Sequence, residues 1–64
     1  LEQNDKKKAA GLFMDAAELA IVLKRKTESL ELLNRAMRTG GVGGELTARE
    51  KGLRAQANAL PGQQ

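Results

Sequence analysis

Leu12, Ala16, Leu19, Leu23, Lys26, Leu30, Leu33 and Met37 follow one another in alternating steps of four and three residues. This is the spacing of a heptad seam along an α-helix, and it lacks the strict alternation a strand requires. The seam has a single polar member, Lys26, which reads either as a register-setting device or as a lysine whose methylenes pack while its ammonium reaches water. No proline interrupts residues 5–38, and Gly11 is the only glycine among them. Asp5 suits an N-cap, and Gly40 suits the left-handed position that closes a helix, with Arg35 and Arg38 near the negative end of the helix dipole. The pattern therefore predicts one long helix over about 5–38.

Four glycines fall within 40–44, so residues 39–46 read as a turn. Beyond it, Thr47 and Glu50 have capping-box spacing and predict a second helix over about 48–60, ended by Pro61 and Gly62. Leu46, Leu53, Ala57 and Leu60 form its narrow apolar stripe, and Gly52 within it costs about 1 kcal/mol relative to alanine. Residues 1–4 read as a disordered or linker-derived end, and 61–64 as a flexible tail. The expected fold is all-α: a long helix, a glycine-rich turn and a short returning helix, packed in a bundle or coiled coil.

This hairpin leaves much of its apolar surface open. The long helix would span about 50 Å and the short one about 20 Å, so the second meets Leu30, Leu33 and Met37 but not the first half of the chain. Met14 and Ile21 point away from the Leu12–Leu19–Leu23 seam, with Ala10 and Ala17 beside them, and a helix apolar on several sides is normally enclosed. Three coverings satisfy this requirement: copies of the same chain, a different protein, or a break that folds the long helix onto itself.

The last covering has a basis in the residues. The stretch LKRKTESLELLNRAM, 23–37, resembles the turn and second helix of a tetratricopeptide repeat. Leu33 stands at that helix's bulky position and Ala36 at its late alanine. Ser29 occupies a place where the family usually has alanine, and Ala17 and Ala20 stand where the preceding helix would carry glycine and tyrosine. The resemblance implies a compact three-helix adaptor domain in which Thr27 caps the middle helix.

Composition narrows the chemistry. The 64 residues contain no cysteine and no histidine, so disulfides and the usual transition-metal ligands are missing, and no cofactor motif is present. Absent cysteine fits a reducing compartment, and a cytoplasmic location is the expectation. Phe13 is the only aromatic residue, which suits helix-on-helix packing. Residues 9–23 are too short, and too interrupted by Asp15 and Glu18, to span a bilayer. The leading Leu1 suggests excision from a longer chain.

No enzyme is expected. Asp15 and Glu18 have the spacing of paired carboxylates but read as solvated or docking charges, and Ser29 has no histidine to activate it. The glycine run lacks the lysine and hydroxyl of a phosphate loop. The net charge is +3, and Lys24, Arg25, Arg35 and Arg38 are the candidate contacts for nucleic acid, although no aromatic side chain is available for base stacking beyond Phe13. The leading expectation is a soluble protein–protein interaction or oligomerisation module, joining itself or a larger partner through Leu12, Phe13, Leu19, Val22, Leu23 and Leu30.

Overall fold

The computed structural model describes residues 2–61, with side chains from residue 5. Three helices follow one another: α1 (Glu2–Val22), α2 (Lys26–Arg38) and α3 (Glu45–Ala59). Residue 1 and, of the tail expected over 61–64, residues 62–64 lie outside the described residues. Residues 2–4, expected to be disordered, belong to α1, and Asp5 sits inside that helix rather than capping it. Nothing between Glu2 and Asp5 is a helix breaker, so the first turn extends back through them.

The single helix expected over 5–38 is corrected by a break at Leu23–Arg25. There the backbone forms a Schellman closure: the Lys24 N–H donates to the Ile21 carbonyl at 2.9 Å and the Arg25 N–H to the Ala20 carbonyl at 2.8 Å. Lys24 takes the left-handed conformation, with φ 62°. Glycine is the usual occupant of that position, and lysine pays about 1–2 kcal/mol for it. The reason for the break lies in packing. In a continuous helix Met14 and Leu33 would stand roughly 28 Å apart, yet after the reversal both are fully buried in one cluster. Lys24→Gly should relieve the strain and stabilise the fold by up to about 1 kcal/mol, seen as a higher thermal midpoint.

The middle helix begins without a side-chain cap. Arg25 holds the N-cap position, and Thr27, expected to cap it, lies within the first turn. Ser29 is buried and satisfied locally, its hydroxyl donating to the Lys26 carbonyl at 2.7 Å. At the far end Thr39 is the C-cap and Gly40 follows with φ 78°, as the sequence predicts. The Thr39 hydroxyl donates to the Ala36 carbonyl at 2.7 Å and accepts the Gly41 N–H at 3.0 Å.

The third helix starts at Glu45, three residues ahead of expectation, with Gly44 rather than Thr47 at the N-cap. Glu50 does not reach back to close a capping box. It is buried and paired instead with Arg54, one turn further on. Arg54 also donates to the Asn34 amide oxygen at 3.1 Å, tying α3 to α2. Leu60 ends the helix in an extended conformation, as the residue before Pro61 should.

The core unites the three helices: Ala10, Met14 and Ala17 from α1, Leu33 and Ala36 from α2, and Leu53 from α3. Phe13, Ile21, Leu32, Val42 and Leu46 pack around it, partly buried. The short helix thus reaches α1, which the hairpin expectation denied it, while Met37 stays half exposed. The chain measures 39 × 16 × 16 Å, shorter than a continuous first helix alone would be.

Candidate functional site

On α1 the apolar residues divide between two faces. At 100° per residue, Leu12, Ala16, Leu19 and Leu23 share an arc of about 60°, and Ala10, Met14 and Ala17 lie roughly 150° around the helix from it. The chain covers the second face and leaves the first. Leu12 is 69% exposed, Leu19 59% and Leu23 54%, and Val22, about 60° outside that arc on the side of Asp15 and Glu18, is 69% exposed. Single exposed leucines are ordinary; here Leu12, Leu19 and Leu23 lie on one side of the same helical segment.

This side borders a groove between α1 and the start of α2. Ala16 and Ala20 are too small to fill the space there, leaving a cleft of about 220 Å³ between Leu19, Leu23 and Leu32. Arg25 and Glu28 line one end and pair with each other at 3.4 Å, both largely exposed. None of the lining residues comes from α3, so the third helix leaves this groove uncovered.

The sequence-derived interface is only partly assembled on this face. Leu12, Leu19 and Leu23 stand together on its exposed side, with Val22 to one side of them. The other two lie elsewhere: Phe13 packs, partly buried, against the core cluster, and Leu30 is half-buried on α2. Sequence reasoning did not foresee the contribution of Ala20 and Leu32, because they line the groove only once α2 lies beside α1.

The candidate nucleic-acid contacts do not form one patch. Lys24 lies in the turn, and Arg25 at the α2 N-cap is paired with Glu28. Arg35 and Arg38 occupy the last turn of the same helix, on the order of 15–20 Å away. The glycine segment forms a second, open hollow of about 330 Å³ with Lys7.

Asp15 and Glu18 have a structural role. Arg49 on α3 donates to the Asp15 carboxylate at 2.6 Å and to the Glu18 carboxylate at 3.2 Å, fastening α3 across α1. The hydrogen bond it donates to Asp15 is the largest influence on Arg49 and, with help from Glu18, holds the guanidinium above its already high range despite partial desolvation. A raised pKa means that the arginine's share of stability is intact below that range and lost only at extreme alkalinity. Both carboxylates are well exposed, so the link contributes little more than surface ion pairs do.

Among the described residues no cluster of acidic side chains could hold a metal ion, and no helix is long and apolar enough to cross a membrane. No family model, curated protein or solved structure matches this chain.

Proposed function

We propose that the chain is a helical protein–protein interaction module that docks through the outer face of α1. The observation that carries this reading is the exposure of Leu12, Leu19, Val22 and Leu23 on a chain whose core is already complete without them. Covering the exposed parts of these four side chains would return on the order of 5 kcal/mol before the costs of association. The beginning of α2 supplies the second wall of the groove, so folding prepares the surface before any partner arrives.

Leu19→Asp tests the reading. The side chain already faces water, so helix content and thermal midpoint should stay within a few degrees of the wild-type values. Binding of a fluorescent dye specific for apolar surface should fall several-fold, and association with partner or copy should disappear while moderate salt leaves the wild-type protein unaffected. Equal dye binding by the two proteins would overturn it. So would association that collapses with salt and on joint Lys24→Ala and Arg25→Ala substitution, since that is how a polyanion-binding surface behaves.

A further inference from the structure

We propose that the turn between α1 and α2 is a proteolytic processing site, recognised by an endoprotease with acidic subsites for paired basic residues and cut at the Arg25–Lys26 bond. The chain has 11 lysines and arginines, and adjacent ones occur in two places, Lys6–Lys8 and Lys24–Lys26. The first triplet lies inside α1, where the backbone of Lys6 and Lys7 packs closely against Gly41 of the glycine loop. In the second, Lys24 and Arg25 are exposed and stand between helices. The other interhelical connection, residues 39–44, carries no basic residue.

Proteases take their substrates as extended backbone, so a folded site must open locally before it is cut. Three features make this turn easy to open. Lys24 is held at φ 62°, a conformation that crowds any side chain, and leaving it releases that strain. Arg25, at φ −102° and ψ 82°, is already nearer to extended than to helical backbone, and α2 has no side-chain cap there to lose. None of the residues Val22–Glu28 is buried, so unwinding the end of α1 and the start of α2 uncovers no core. The Arg25 guanidinium meets only Glu28, at 3.4 Å and well exposed, and is given up to a protease subsite at little cost.

Hydrolysis adds one water across the bond. The hydroxyl goes to the Arg25 carbonyl carbon and a proton to the Lys26 nitrogen, and the new carboxyl then passes its proton to the new amine. The resulting ammonium sits on the first residue of α2, at the positive end of the helix dipole, and disfavours re-docking. The first segment is then held only by contacts, and its buried side chains are Met14 and three alanines. Losing so short a tether removes an effective concentration in the millimolar range. A remainder of about 40 residues rarely keeps a core alone. At micromolar protein, cutting therefore releases residues 1–25 and unfolds the rest.

The probe is a subtilisin-like endoprotease specific for paired basic residues, used in limiting amount on the folded chain and followed by mass spectrometry. The first products should be 1–25 and 26–64, formed at least tenfold faster than any product of cutting at Lys6–Lys8. Fragment 26–64 should accumulate, because it contains no further adjacent pair of basic residues. Arg25→Gln should keep the helix content and slow the cut at least tenfold, whereas Lys24→Arg should leave the rate near that of the wild type. Circular dichroism at micromolar concentration should lose most of its helical signal as the cut completes. First cutting at Lys6–Lys8, or equal rates at both places, would mean that the chain is cut only after global unfolding and would overturn the proposal. So would a turn that resists the enzyme, or a nicked chain that keeps its full helix content.

Discussion

Leu33→Ala should destabilise the fold by about 2–5 kcal/mol, a large part of what a chain of this size possesses. Leu33 is fully buried where all three helices meet, and truncation would leave a cavity bounded by Met14, Ala36 and Leu53. The neighbouring core side chains are mostly alanines, too short to move into the gap. Chemical denaturation should show a midpoint near or below the accessible range, and helix content should fall at room temperature. Leu19→Ala provides the comparison, because the two leucines belong to the same heptad seam in the sequence. With its side chain 59% exposed, Leu19 should lose less than about 1 kcal/mol on truncation to alanine. Equal losses at the two positions would mean that the seam, rather than the folded-back arrangement, governs packing.

Gly41→Ala should have the next largest effect, about 1–3 kcal/mol or more. A Cβ built at Gly41 would fall 2.2 Å from the Lys6 carbonyl oxygen and 2.6 Å from the Lys7 backbone nitrogen. The obstacle is helix backbone, which has no side-chain rotamer to yield, so the loop or the start of α1 must move. Gly43 makes a useful control, since a Cβ there meets nothing within 4 Å. Denaturation midpoints of the two alanine variants should therefore differ clearly, Gly41→Ala well below Gly43→Ala. If they agree, the glycine segment does not pack on α1 as described.

These two positions also show how much was legible beforehand. The glycine cluster was evident as a loop, and Gly40 as the residue closing the helix before it, because backbone conformation of that kind is written in residue type. That Gly41 is glycine for lack of space is different: its neighbour, Lys6, is 35 positions away in the chain. The apolar stripe of α3 was likewise evident at Leu53 and Ala57, both buried. The start of that helix was not, because the Thr47–Glu50 spacing yielded to the pairing of Glu50 with Arg54.

Sequence pattern alone determined that the chain is helical, that α2 closes at Gly40, that Pro61 ends α3, and that α1 carries more apolar surface than one face requires. Each follows from local backbone preference or from the 3.6-residue period, which act within a turn or two. The resemblance at residues 23–37 offered a division ahead of Thr27 as one of three coverings. Tertiary structure decided that the helix does divide, at Leu23–Arg25, since Lys24 is neither glycine nor proline and its left-handed turn accompanies the burial of Met14 and Leu33 in one cluster. With that division it decided which leucines are core and which are surface. A heptad seam records only that residues share a side of a helix; what stands opposite that side depends on the path of the rest of the chain.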